Sequence, residues 1–147
     1  MKKTLLFAAA MLLGSVAFAQ NTDVLVKNYI SVKNALVLSD DKAVAQAAKV
    51  LQKSIADDKE LAKNTALTKA VNKMTDAKNL EKQRASFYEV STLVWKLVKD
   101  ADKVSQPVYY QYCPMADGYW MSTEKNIENP YYGASMLKCG RVVETKE

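Results

Sequence analysis

Histidine is absent from the 147-residue sequence, which removes the commonest general base and the commonest imidazole ligand for zinc or copper(II). Serine–histidine and cysteine–histidine catalysis are therefore excluded, and we expect a protein that is not an enzyme. The chain also lacks a block of basic residues, because its 21 lysines and arginines are interspersed with 16 acidic residues. This mixing is typical of a solvated surface, so nucleic acid is not an expected partner.

Glycine and proline are missing from residues 20–106, and apart from Gly14 every glycine and proline of the chain follows residue 106. Because both residues interrupt regular structure, the first part is predicted to be helical and the second to consist of turns and short strands. The predicted fold class is mostly α: an up-and-down helical bundle over residues 20–104 with an irregular, partly β C-terminal cap over residues 105–147. Residues 20–147 are expected to form a single domain of ordinary size.

Apolar residues recur at helical spacing along the first part, and polar residues separate the stripes. The stripes are Leu25, Tyr29, Val32 and Leu36; Val44, Ala48, Leu51 and Ile55; Leu67, Val71 and Met74; and a seam of Leu80, Phe87, Val94 and Ala101 with Val90 and Leu97 between them. The predicted caps are Thr22 or Asp23 for the first helix, Ser39-Asp40-Asp41 between the first two, and Thr75 or Asp76 before the last. These stripes are wider than a coiled-coil seam, which favours a packed core over a partner-binding coiled coil.

The only long apolar run of the sequence lies at the N-terminus, and it has the features of an export signal. Lys2 and Lys3 precede an apolar run over residues 5–13, and Ala17-Phe18-Ala19 is a small-x-small cleavage site. The run is too short for a transmembrane helix, which needs about 20 apolar residues. We predict a bacterial signal peptide over residues 1–19 and a periplasmic protein that begins at Gln20, without stable membrane insertion after cleavage.

The second part is rich in strand-forming and turn-forming residues. Strands are predicted over residues 108–112, 119–121 and 141–143, with a tight turn at Asp117-Gly118. A second turn is predicted over residues 129–133, followed by one helical turn over residues 134–138. These elements would form the cap that packs against the bundle.

Sulfur-containing residues are concentrated in this cap, as Cys113, Met115, Met121, Met136 and Cys139. Thiolate and thioether sulfurs are soft ligands that select Cu(I) over harder ions. Cys113 and Met115 are two residues apart, and one helical turn would bring Met136 and Cys139 to the same face. The hypothesis is a Cu(I) site with four ligands: Cys113, Met115, Met136 and Cys139. No other cofactor is expected.

The same residues allow structural alternatives. In an oxidising compartment an even number of cysteines predicts a disulfide, so Cys113 and Cys139 would staple a non-catalytic structural or protein-interaction module. A redox-active thiol pair is a third and less favoured interpretation, because the chain has no Cys-x-x-Cys pair. The aromatic residues of the cap either pack it onto the helices or form an exposed binding surface. The candidate surface residues are Tyr112, Trp120, Tyr131 and Tyr132.

Motifs in the cap resemble a bacterial periplasmic family, domain of unknown function 3347. They are Tyr112-Cys113-Pro114-Met115-Ala116, Gly118-x-Trp120-x-Ser122, Ile127-x-Asn129-Pro130-Tyr131-Tyr132-Gly133 and Met136-Leu137-x-Cys139-Gly140, with looser agreement at Ala35-Leu36 and Arg84-x-x-Phe87. Related domains are appended to copper and silver efflux adaptors of the membrane-fusion type. The resemblance therefore implies soft-metal handling by Cys113, Met115, Met136 and Cys139, with a heavy-metal efflux adaptor or another periplasmic protein as partner. The chain lacks the adaptor hairpin and barrel, so it resembles a stand-alone version.

Overall fold

Four α-helices precede a three-stranded sheet in the computed structural model, which describes the backbone of residues 13–147 and the side chains of residues 21–147. The helices are α1 (Leu13–Val37), α2 (Asp41–Asp57), α3 (Thr65–Thr75) and α4 (Leu80–Asp100), and the strands are β1 (Val108–Cys113), β2 (Gly118–Ser122) and β3 (Arg141–Lys146). Short 3-10 helices span Leu61–Lys63 and Gly133–Met136. The predicted signal sequence lies outside the described side chains, and residues 1–12 lie outside the description altogether.

The predicted fold class is confirmed: helices dominate, and the C-terminal part carries the small sheet. The predicted stripes of α1, α2 and α3 are the buried faces of those helices, with every stripe residue at most 2% exposed. The stripes meet in one hydrophobic core between the helices. Across residues 13–147, no helix is both long and apolar enough to cross a membrane.

The seam predicted for α4 is right at its centre and wrong at its end. Phe87, Val90 and Val94 are buried, but the seam continues through Trp95 and Val98, while Ala101 only caps the helix. The prediction advanced in steps of seven residues, and an α-helix with 3.6 residues per turn drifts by about 20° over each such step. By the last turn of α4, the buried residues therefore lie one position later in the sequence than the predicted ones.

Two of the predicted helix caps are wrong as well. Helix α1 begins at Leu13, so Thr22 and Asp23 lie inside it and do not start it. Asn79 caps α4 by accepting a hydrogen bond from the Lys82 amide, whereas Thr75 and Asp76 end α3.

The predicted boundary between α1 and α2 is confirmed. Asp40 is the N-cap of α2, and its carboxylate accepts a hydrogen bond from the Ala43 amide at 2.9 Å. Asparagine and aspartate cap helices in the same way, because each accepts from a free amide of the first turn. Composition alone therefore does not decide which of several nearby polar residues caps a helix.

The sheet is antiparallel, with strand order β2-β1-β3, so β1 lies in the centre. One face packs on α4 through a stack of aromatic rings. The Trp95 and Tyr110 ring centroids lie 4.6 Å apart, and Tyr119 also stacks on Tyr110 at 5.1 Å between ring centroids. Offset stacks of this kind add to the free energy of burial. The predicted packing of cap aromatics onto the bundle is thus present at these rings.

Arg84 of α4 ties the segment after β2 to the bundle. Its Nε donates to the Pro130 carbonyl at 2.9 Å, and its Nη2 donates to the Leu36 carbonyl at 3.2 Å and to the Ser39 hydroxyl at 2.9 Å. Gly133, which follows Pro130 closely, has φ of +56°, and a Cβ there would lie 2.8 Å from the Val37 carbonyl oxygen. Only glycine suits both the backbone conformation and this close approach. The segment is therefore held against the end of α1.

Candidate functional site

The two cysteines of the chain meet in the cap, although 26 residues separate them in sequence. Cys113 is the last residue of β1, and Cys139 lies between the 3-10 helix Gly133–Met136 and β3. Their Sγ atoms lie 2.7 Å apart, compared with about 2.0 Å in a disulfide, so the structure describes them without a bond. Cys113 has no exposed surface, whereas Cys139 is partly exposed. The fold thus brings the two sulfurs together between a buried residue and a partly exposed one.

Hydrogen bonds shift the pKa values of the two thiols in opposite directions. Burial acts to raise the pKa of Cys113, but hydrogen bonds from the Cys139 thiol, the Ala116 and Met115 amides and the Asn129 side chain outweigh it. The pKa of Cys113 consequently lies below its ordinary value. The hydrogen bond to Cys113 is the main cause that holds the pKa of Cys139 above its ordinary value, and burial adds to it. Cys113 is therefore the more acidic thiol of the pair.

Asn129 positions the chain on both sides of Cys139. This residue has no exposed surface, and its Nδ2 donates to the Cys139 carbonyl at 3.0 Å while its Oδ1 accepts from the Tyr131 amide at 2.8 Å. Its own amide donates to the Leu137 carbonyl at 2.9 Å. Because a buried amide side chain is costly unless it is hydrogen-bonded, these contacts fix the loop in one arrangement.

Gly140, the residue after Cys139, is required by a close approach. It has φ of +146°, and a Cβ at this position would lie 2.7 Å from Cη2 of Trp120. The Trp120 ring, which is fully buried, fills the space that a side chain would need. The Cys-Gly sequence therefore lets the chain pass over the indole ring directly after Cys139.

The predicted methionine ligands lie beside the cysteines in sequence but differ in exposure. Met115 is in the turn between β1 and β2 and is 64% exposed, and Met136 ends the 3-10 helix with a partly exposed side chain. The Met136 carbonyl accepts a hydrogen bond from the Cys139 amide at 3.0 Å. Met121 is fully buried in β2. Among the described residues, no group of three or more histidine, cysteine, aspartate or glutamate side chains could hold a metal ion.

The four candidate surface aromatics are placed differently from one another. Trp120 is fully buried and cannot belong to an exposed surface. Tyr112, Tyr131 and Tyr132 are partly exposed, and the Tyr132 hydroxyl donates to the Met115 carbonyl at 3.1 Å. Tyr131 and Tyr132 line one side of an open groove of about 700 Å³, whose other side is α4. Tyr132 therefore connects the Met115 turn to this groove.

Two residues that position the site were not among the predicted site residues. Asn129 and Arg84 belong to the motifs that carry the family resemblance, yet composition and spacing assign neither of them a role. Their importance depends on contacts over long sequence separations, such as the one from Arg84 to the Pro130 carbonyl. An Asn-Pro pair that follows a strand is the one local signal, because it is typical of a turn with side-chain hydrogen bonds.

These features define a helical-bundle protein whose β cap holds a paired-cysteine site. The chain belongs to the family described as Protein of unknown function (DUF3347), whose model matches residues 25–106. The match covers the bundle and ends before β1, so the cysteine motif lies outside the matched segment. No curated protein and no solved structure matches the chain.

Proposed function

We propose that this protein binds Cu(I) through the thiolates of Cys113 and Cys139, as an exported, periplasmic metal-handling protein. The observation that carries the proposal is the meeting of the two thiols, whose Sγ atoms lie 2.7 Å apart after a separation of 26 residues. A heavy-metal efflux adaptor is the partner that the resemblance implies. The proposed function is binding, without catalytic activity.

The donor set suits a soft monovalent ion. Thiolates and thioethers prefer Cu(I), and the chain has no histidine to supply a harder nitrogen ligand. With metal–sulfur bonds of about 2.3 Å, two sulfurs on one ion stand at most roughly 4.6 Å apart, and closer together when further ligands bind the ion. The pair would therefore open by up to about 2 Å on binding, and the partly exposed Cys139 is the residue proposed to move.

The methionines are proposed as additional ligands. Met115 follows Cys113 by two residues, and its exposed side chain is free of core packing. Met136 precedes Cys139 by three residues, and the hydrogen bond between their backbones holds the two residues in one turn. A thioether is a weaker ligand than a thiolate, so each methionine should contribute less to affinity than either cysteine.

Competition with a chromogenic Cu(I) chelator tests this proposal. Reduced wild-type protein should remove Cu(I) from the chelator with a stoichiometry of one ion per chain. Cys113→Ser and Cys139→Ser should each weaken binding steeply, whereas Met115→Leu and Met136→Leu should weaken it modestly. The leucine changes keep volume and apolarity, so a loss reports ligation and not packing.

Met74→Leu is the matched control, because Met74 is buried in α3, within the helical bundle. This variant should compete as well as wild type. The proposal is wrong if reduced wild type does not compete, or if the cysteine variants compete as well as wild type does.

A structural disulfide is the second candidate, and the same short separation of the Sγ atoms favours it. A bond between Cys113 and Cys139 would link the end of β1 to the segment before β3 and close a loop of about 27 residues. The chain-entropy model gives such a loop roughly 3.5 kcal/mol of stabilisation. In this case protein from the periplasm would be fully oxidised and metal-free, reduction would lower its stability, and the leucine variants would behave like wild type.

A further inference from the structure

Exposed apolar side chains lie around the open groove between α4 and the cap. The groove has a volume of about 700 Å³, and Tyr88, Tyr131 and Tyr132 are among the residues that line it. Tyr88 is 42% exposed. Met115, at 64% exposed, precedes Ala116, which also lines the groove. The fold therefore leaves apolar surface uncovered on both sides of this groove, which is a common feature of interaction sites.

A further exposed apolar side chain belongs to a turn that contacts the groove. Leu38, between α1 and α2, is 78% exposed. The next residue, Ser39, has φ of +57°, and its hydroxyl accepts a hydrogen bond from Nη2 of Arg84, a residue of the groove, at 2.9 Å. The same nitrogen donates to the Leu36 carbonyl on the other side of Leu38. Because these contacts fix the turn in the free protein, a partner would lose little by ordering it.

The groove is lined by one acidic and one basic side chain, and the two differ in their contacts. The Arg84 guanidinium donates to internal oxygens through Nε and Nη2. Glu81 is exposed and makes no ion pair or side-chain hydrogen bond with another described residue. Lys82, its neighbour, lines a different groove beside α3. On the cap side, the exposed Asp117 follows Ala116. A partner that complements the groove would therefore supply a positive charge.

We propose that the groove and the Leu38 turn form a docking surface for a partner protein, which inserts a chain segment carrying an apolar side chain beside a lysine or arginine. The apolar side chain would pack on the tyrosines, and the cation would pair with Glu81. Tyrosine is enriched among the residues that dominate binding energy at interfaces, and the groove volume is within the range of ligand sites. The surface includes neither cysteine, so the inference goes beyond Cu(I) binding and does not depend on it.

Selection from a display library of random heptapeptides on the wild-type chain tests the inference. The peptide that binds best is synthesised with a fluorescent label, and its Kd is measured by anisotropy. The expected peptides combine lysine or arginine with an aromatic or aliphatic residue, and 0.5 M salt should weaken their binding. Enrichment of acidic peptides, or of no sequence at all, would overturn the inference.

Variants at exposed positions locate the site on the protein. Tyr88→Ala should weaken binding of the selected peptide at least about tenfold, and Leu38→Ser and Glu81→Lys at least about threefold each. Val142→Ser and Asp102→Lys are the matched controls, because these residues are exposed on β3 and just after α4. Both controls should bind like wild type. Equal affinity of all five variants would contradict the inference, whatever the outcome of the Cu(I) competition.

A membrane and a second copy of the chain are the other occupants that an apolar surface could take. Wild type should neither sediment with phosphatidylglycerol vesicles nor elute as a dimer from gel filtration. Vesicle binding or dimerisation that is abolished by Tyr88→Ala would assign the surface to that occupant and overturn the proposed one.

Discussion

The hydroxyl of Tyr29 is the clearest single connection between bundle and cap, and its removal gives a sharp prediction. Tyr29 is fully buried in α1; its hydroxyl lies 2.6 Å from the Ser91 hydroxyl and accepts a hydrogen bond from the Met121 amide at 3.1 Å. Tyr29→Phe keeps the ring, which stacks on Phe87 at 5.1 Å, and removes only the oxygen. The Met121 amide in β2 then loses its acceptor inside the protein.

An unsatisfied buried donor costs about 1–3 kcal/mol, and the Ser91 hydroxyl loses a partner as well. We therefore expect Tyr29→Phe to lower the free energy of unfolding by roughly 2 kcal/mol in urea titrations, with an unchanged denaturant slope. Tyr88→Phe is the matched control, since Tyr88 is 42% exposed, and its effect should stay within about 0.5 kcal/mol. Equal effects of the two changes would refute the reasoning that a buried hydroxyl joins the two parts.

Three further predictions concern the core, a buried charge and export. Phe87→Ala should cost about 3–5 kcal/mol in urea unfolding because Phe87 is fully buried, whereas Lys96→Ala on the exposed face should cost less than about 0.5 kcal/mol. Burial lowers the pKa of Lys33, and Glu128 at 3.8 Å offsets this only in part; Lys33→Met should therefore match or exceed wild-type stability at neutral pH. The folded state binds the Lys33 proton less tightly than the unfolded state does. The free energy of unfolding of wild type should therefore rise as the pH increases from the lowered pKa to the ordinary lysine pKa, and Lys33→Met should not show this rise. N-terminal sequencing of exported protein should begin at Gln20, and a chain that still begins at Met1 would contradict the signal-peptide prediction.

Periodicity was sufficient to predict the buried faces of α1, α2 and α3. A buried helical face must repeat every three to four residues, so the spacing of Val44, Ala48, Leu51 and Ile55 already identified the face that the structure buries. Helix ends were harder, because Asn79 and Thr75 are both acceptable caps in isolation and only the surrounding packing selects one. Local chemistry therefore predicts which face is buried more reliably than where a helix begins.

The candidate site was predictable in its residues but not in its arrangement. The scarcity of other ligands pointed to Cys113 and Cys139, and the fold does bring their sulfurs together. The loop that carries Cys139 is held by a hydrogen bond from Asn129, and Arg84 holds the same loop at Pro130. Such long-range hydrogen bonds leave no periodic pattern, and the burial of Trp120 beside Gly140 is equally non-local.

X-ray absorption spectroscopy of the reduced protein loaded with one equivalent of Cu(I) tests the central proposal most directly. The account predicts a first coordination shell of sulfur alone, at about 2.3 Å from the ion, which changes when either cysteine is replaced by serine. It also predicts that copper stays bound through gel filtration. A first shell of nitrogen or oxygen, or an identical spectrum for Cys113→Ser and wild type, would contradict Cu(I) binding by the paired cysteines.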